Sequence, residues 1–148
     1  MSQLLVRPCF GQDEWPTIVK IWRSSVEATH TFLTVEDINR YELRMVTHYL
    51  PAVELDIATI DGHAVGFLGW VDDSIEMLFV DAGAMRRGVG TALLHAAQLR
   101  SPQLVLDVNE QNPAALSFYE HSGFLRVGRS ETDGDGRPFP IIHLRYGR

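Results

Sequence analysis

The chain has a single cysteine, Cys9, among 148 residues. This excludes an intrachain disulfide, so Cys9 reads as a small strand residue with a free thiol. Nowhere is there an apolar run of about eighteen residues, so no membrane span is expected. The opening Met-Ser-Gln-Leu-Leu-Val-Arg-Pro lacks the basic-then-apolar pattern of a secretion signal. These absences make the cytoplasm the expected location. The six histidines show neither an H-x-x-x-H spacing nor a cysteine partner, so no metal site is expected. Basic residues are outnumbered, and the net charge of −6 argues against nucleic-acid binding. That acidity suits a cationic partner. No linker, repeat or low-complexity tract interrupts the chain. With 45% hydrophobic and 22% charged residues, it reads as one globular domain over 1–148.

What the chain does have is concentrated between Ile75 and His95: IEMLFVDAGAMRRGVGTALLH. This reads as an apolar strand, a turn, a glycine-rich loop and a helix beginning near Gly88 and Gly90. A helix start leaves backbone N–H groups unpartnered and carries partial positive charge. Glycines let a bulky anion approach those groups. A phosphate-bearing ligand at residues 86–91, from Arg86 and Arg87 through Gly88, Val89, Gly90 and Thr91, follows. A dinucleotide loop would need a third glycine where Leu93 stands. A triphosphate loop would need lysine and a hydroxyl where Val89 and Gly90 stand. Met85-Arg86-Arg87-Gly88-Val89-Gly90 resembles the Q/R-x-x-G-x-G/A pyrophosphate loop of the GNAT N-acetyltransferases, with Met85 in the Q/R position. The bland alternative is a glycine-rich strand-to-helix turn without a ligand.

A second segment supports the same family. Asn112 is a good N-cap, Pro113 suits the first helical position, and Gly123 suits the position after the helix end. From Asn112 to Phe124 the chain resembles the GNAT pattern N-x-x-A-x-x-F-Y-x-x-x-G-F at every fixed position. The two motifs occur in the family's order, about twenty residues apart, which makes the pair far more specific than either motif. Trp22–Phe32 and Pro138–Tyr146 are similar to the YjaB-type bacterial subgroup, so the resemblance extends over nearly the whole chain.

Pattern along the chain predicts strands at Leu4–Cys9, Glu54–Ile60, His63–Val71, 75–80, 103–109, 124–131 and Phe139–Tyr146. Asp61-Gly62 is a two-residue hairpin signal. Helices are predicted at Asp13–Ala28, from Thr34 to before Pro51, at 88–99 and at 113–121. Thr34 with Asp37 resembles a capping box. The expected class is α/β of mixed α+β type: a mainly antiparallel sheet with helices on both faces, in the order βααβββαβαββ. The resemblance implies the GNAT fold, with the strands at 75–80 and 103–109 splayed into a slot for the pantetheine arm.

It also implies acetyl-coenzyme A as cosubstrate, an amine acceptor (small molecule or peptide), and direct transfer in a ternary complex. A homodimer is compatible with the family. Transfer requires deprotonating the amine, polarising the thioester carbonyl and protonating the departing thiolate. Tyr119 occupies the position from which family members often protonate the thiolate; otherwise it is a packed helix aromatic. Leu78, Phe79 and Val80 are expected to bind the pantetheine through their backbones. By strict alternation Glu76, Leu78 and Val80 share one face, and Ile75, Met77 and Phe79 the other. Glu76 is a candidate base, its carboxyl raised by partial burial, or a solvated strand-end charge. His30 and water are the alternative bases. Asn112 and Asn109 are candidates for cofactor contact, beside their turn and capping roles. The acceptor site is expected from Trp22, His30, Phe32 and Trp70, with Ser25 and Thr29 nearby. Glu131, Asp133 and Asp135 stand at its rim, the last two readable as ordinary turn residues. Two other functions compete: an acyl-coenzyme A-binding sensor without turnover, and an interaction domain that binds no cofactor.

Overall fold

The structure is a computed structural model and describes residues 2–147. Its elements run β1 (Leu4–Pro8), α1 (Trp15–Thr29), α2 (Val35–Arg44), β2 (Glu54–Ile60), β3 (His63–Val71), β4 (Ser74–Val80), α3 (Val89–Arg100), β5 (Leu104–Asn109), α4 (Pro113–His121), β6 (Leu125–Ser130) and β7 (Ile141–Tyr146). The order of strands and helices is the expected one. The strands form one sheet, β1-β2-β3-β4-β5-β7-β6. Neighbours are antiparallel except β4 and β5, which are parallel. No helix among the described residues is long and apolar enough to cross a membrane.

Local chemistry explains the boundaries. Thr34 and Asp37 form a reciprocal capping box, each backbone N–H donating to the other's side chain at 3.1 Å. Asp61 and Gly62 both take positive φ, 50° and 84°, as a tight hairpin between β2 and β3 demands. α1 starts at Trp15, later than predicted, because Gln12–Glu14 form a 3₁₀ turn. α2 ends earlier than predicted. A π turn over Met45–Tyr49 and a 3₁₀ turn over Leu50–Ala52 follow it. Pro51 lies in the first turn of that last segment, where an N–H would have no helical partner anyway.

Helices pack on both faces of the sheet. On one, α1 presents Ile18, Ile21, Trp22 and Val26 to Ile57, Phe67 and Met77. On the other, Leu93, Leu94 and Ala97 of α3 meet Ala58, Leu68 and Leu104, with Tyr119 and Phe124 beyond. Gly66 sets the closeness of α3. A Cβ there would lie 2.8 Å from Val89 Cγ1 and 3.1 Å from the Phe79 carbonyl. The start of α3 therefore rests directly on β3 because position 66 has no side chain.

Strand β4 departs from regular alternation. Gly69 pairs with Met77, but Trp70 pairs with Ile75, leaving Glu76 as an inserted residue. Such a bulge kinks its strand and changes which residues share a face. Ile75 joins Leu78 and Val80 on the α3 side, while Met77 and Phe79 pack on the α1 side. The expected grouping of Ile75 with Met77 and Phe79 is thus corrected. Beyond the bulge β4 leaves β5: their pairing consists of Ser74↔Val105 and Ile75↔Leu106. The rest of β5 continues against β7, as far as Asn109↔Ile141. The expected splay is present.

Candidate active site

At the head of α3 the backbone itself forms a binding surface. Gly88 caps the helix in the left-handed region, φ 80°, and no side chain caps the N–H groups that follow. The first helical bond runs from Ala92 N–H to the Gly88 carbonyl, 3.0 Å. Among the described residues, the N–H groups of Val89, Gly90 and Thr91 therefore have no protein partner. Beyond its chain neighbours, no atom of the described residues lies within 4 Å of where a Gly88 Cβ would sit, so the approach is open. At Gly90 a Cβ would meet the Phe118 ring at 3.4 Å, which places α4 beside the loop. Arg86 and Arg87 are exposed at the same end, Arg86 with φ 64°. Cations at a helix start oppose its dipole unless an anion joins them.

The fork between β4 and β5 continues from this loop. Asp81 N–H donates to the Val65 carbonyl at 2.8 Å, and the Phe79 carbonyl lies against Gly66. Backbone polar groups alternate along a strand, so those of Leu78 and Val80 face the fork. Phe79 is corrected on this point: its backbone faces β3. Its ring lies 5.7 Å from Phe67 and 6.3 Å from His30, on the other side of the sheet. Asn112 is buried, and its Oδ1 accepts from Ala115 N–H at 3.2 Å, capping α4 as expected. Asn109 ends β5.

Tyr119 packs between Phe118 and Phe124, with centroids 5.2 and 5.7 Å away. Burial pushes its phenol well above the ordinary tyrosine range. The hydroxyl has no hydrogen-bond partner among the described residues, yet it is not among the sealed polar atoms. The oxygen therefore keeps a small accessible surface on an otherwise buried residue.

A cavity of about 570 Å³ opens on the α1 and α2 side of the fork, and Trp22, His30, Phe32, Glu76, Phe79 and Asn109 contribute to its walls. His30 ends α1, its ring 5.4 Å from that of Phe32 and its Nδ1 2.8 Å from Thr29 Oγ1. Burial lowers its pKa to about 4, so the imidazole is neutral near pH 7. Glu76 faces the cavity but is exposed, and accepts from Ser74 Oγ at 3.2 Å. The partial burial invoked for it as a base is absent. Trp70 is also corrected. It lies on the α3 side, outside this cavity, with the Arg100 guanidinium 3.5 Å above its ring and bonded to Asp56 at 3.0 Å.

Sequence reasoning missed how the cavity is closed. The turn before β7 is tied to α2 at three points. Tyr41 donates to Asp133 Oδ2 at 3.0 Å, and Arg44 donates to Asp135 Oδ1 at 2.6 Å. Arg137 pairs with Asp37 at 2.6 Å. Asp133 Oδ1 also accepts from the N–H groups of Asp135 and Arg137, so it is a turn residue as well. Burial, then the Asp133 carboxylate, pushes Tyr41 up to about 12. No local motif marks these pairs; only the acidic turn itself was visible.

A bulged strand forked from its parallel neighbour, with a glycine-started helix at the fork, defines the class. Residues 23–140 match the acetyltransferase (GNAT) domain, and the chain belongs to that family. It is an N-acetyltransferase. It is 38% identical to the peptidyl-lysine N-acetyltransferase YjaB of Salmonella typhimurium over 136 residues, 90% of this chain and 92% of that protein. To the protein of the same name in Escherichia coli K12 it is 39% identical, over 90% and 91% of the two chains. The solution structure of apo-form YjaB from Escherichia coli superposes with a TM-score of 0.87 at 35% identity, covering 99% of both chains.

Proposed function

We propose that this enzyme moves an acetyl group from acetyl-coenzyme A directly to the ε-amine of a lysine in a peptide or protein, within a ternary complex. One observation carries the reading: three unpartnered N–H groups at the head of α3 run straight into a strand fork whose edge is also unpaired. That geometry suits a diphosphate followed by an extended amide-bearing arm. The acceptor class is supported by the printed activity of the YjaB relatives.

Coenzyme A supplies the activated acetyl thioester. Val89, Gly90 and Thr91 would hold its pyrophosphate by their N–H groups, with Arg86 and Arg87 adding charge. Leu78 and Val80 would pair with the pantetheine amides, and one of their N–H groups would stabilise charge on the thioester oxygen. Asn109, at the end of β5, and Asn112, at the cap of α4, are candidates for contact with the same arm. Tyr119 would protonate the leaving sulfur, since burial keeps its phenol protonated at neutral pH. Trp22, His30 and Phe32 would line the acceptor, whose alkyl stem suits apolar walls. Glu76, directly or through a water, is a candidate to take the acceptor's proton; His30 is a poorer one because burial opposes its charging. A sensor without turnover would have no use for an unpartnered phenol at Tyr119.

The test is a thermal shift with coenzyme A, followed by thiol release from acetyl-coenzyme A with a panel of lysine peptides and small amines. A raised Tm and release driven by lysine peptides support the reading. A shift without release for any amine leaves the sensor, and no shift removes the cofactor site altogether.

A further inference from the structure

We infer that Ser130, His143 and Asp107 form a proton relay serving the acceptor end of the cavity; the inference rests on the acyl-transfer reading above. The three residues come from adjacent strands β6, β7 and β5. His143 Nδ1 lies 2.6 Å from Asp107 Oδ1, and Ser130 Oγ lies 2.7 Å from His143 Nε2. An ionised carboxylate can only accept, so Nδ1 carries the hydrogen and Nε2 accepts from the serine. A hydroxyl, a base and a carboxylate that orients the base are thus in line.

The register places the line beside the cavity. Asp107 pairs with His143, and the next same-face pair along β5 and β7 is Asn109 with Ile141, both of which line the cavity. Ser130 pairs with that same Ile141. Ser130 thus stands next to the wall residue Ile141 without itself lining the cavity, and from it the relay runs through His143 to Asp107, whose side chain is 63% exposed. Gly128, opposite His143, makes the room: a Cβ there would lie 3.3 Å from the imidazole. Arg145, two positions along β7, is the other charged group on this strand face, and it is exposed.

The need is specific. Glu76 is exposed and bonded to Ser74, and His30 is a base weakened by burial. In the relay the acceptor ammonium gives its proton, across one water, to Ser130 Oγ as the serine's own proton moves to His143 Nε2. Asp107 balances the imidazolium charge, and His143 then returns one proton to solvent. No bond to carbon forms at Ser130. His143 and Asp107 are positioning residues that act through the serine.

The experiment compares wild type, His143→Gln, Asp107→Asn, Ser130→Ala and Ser130→Thr with a lysine peptide, alongside coenzyme A calorimetry. For His143→Gln and Ser130→Ala, kcat should fall about a hundredfold, with acceptor KM and coenzyme A affinity within about twofold. Ser130→Thr, which keeps the hydroxyl, should restore most of the rate. Imidazole ¹⁵N shifts should show the Nδ1–H tautomer in wild type and its loss in Asp107→Asn. Unchanged kcat in His143→Gln, equal rates for Ser130→Ala and Ser130→Thr, or an Nε2–H tautomer in wild type would each overturn the relay. A wild type that binds coenzyme A but acetylates no lysine peptide would instead refute the acceptor reading, and the tautomer would still decide the relay.

Discussion

The two ends of the fork are built from different material. The end at α3 is mostly backbone: a left-handed glycine, three free N–H groups and an unpaired strand edge, all within one contiguous stretch. The opposite end is side chains gathered from α1, α2, β4, β5 and the turn before β7. Its closing bonds join residues 92 and 91 positions apart, Tyr41 to Asp133 and Arg44 to Asp135. A site made of backbone serves a ligand common to a whole family. A site made of side chains can change its acceptor without disturbing the first.

Four perturbations sharpen or break that division. The largest effect is expected at Tyr119, the proposed donor to the leaving sulfur. Tyr119→Phe should lower kcat about a hundredfold or more, with coenzyme A affinity unchanged by calorimetry. Wild-type turnover in that variant would leave Tyr119 a packing residue only.

Next comes acid stability, which between pH 7 and 4.5 reports on the cavity wall at His30. The folded pKa of His30 is about 4 against an ordinary 6.5. Between those values the unfolded chain binds the extra proton, so stability rises with pH across the window. It is complete above about 6.5 and falls as pH drops toward 4, by about 2 kcal/mol at pH 4.5. The Glu14 carboxylate, lowered to about 2 chiefly by its bond to Arg7, loses its contribution only below its ordinary 4.5. Denaturant midpoints between pH 7 and 4.5 should therefore drop in wild type and flatten in His30→Gln. Parallel curves for the two proteins would refute the assignment.

Gly88→Ala tests the backbone end. A left-handed alanine costs about 1–2 kcal/mol, and relaxing it turns the N–H groups away from their target. Coenzyme A should bind about tenfold more weakly by calorimetry, with acceptor KM unmoved. Equal affinity would mean that the loop does not grip the ligand.

The smallest effect belongs to the surface ties. Arg44→Ala should change the acceptor KM by about two- to threefold and reduce its salt sensitivity, leaving coenzyme A affinity alone. A matching change in coenzyme A affinity would show that the two ends are coupled.

The same division explains what could be read in advance. Gly88, Gly90, Asn112, Pro113 and the Thr34–Asp37 box act on their own neighbours, so their types and spacings foretold loop, caps and element order. The bulge at Glu76 was invisible because alternation is counted residue by residue, and an inserted residue has no local signature. That one insertion reassigned Ile75 to the opposite face. Trp70 was misplaced for a related reason: lying on a central strand does not say which side of the sheet its ring will join. The ties from α2 to the turn at 133–137, and the Ser130–His143–Asp107 line, depend on strand order, which pattern alone does not supply.

The central claim is that the N–H groups of Val89, Gly90 and Thr91 and the free edge of β4 hold coenzyme A. A titration of ¹⁵N-labelled protein with coenzyme A, followed by amide shifts, tests it most directly. The account predicts that the largest changes fall on Val89, Gly90, Thr91, Leu78 and Val80. Silent amides at those five positions, with changes elsewhere or none at all, would contradict it.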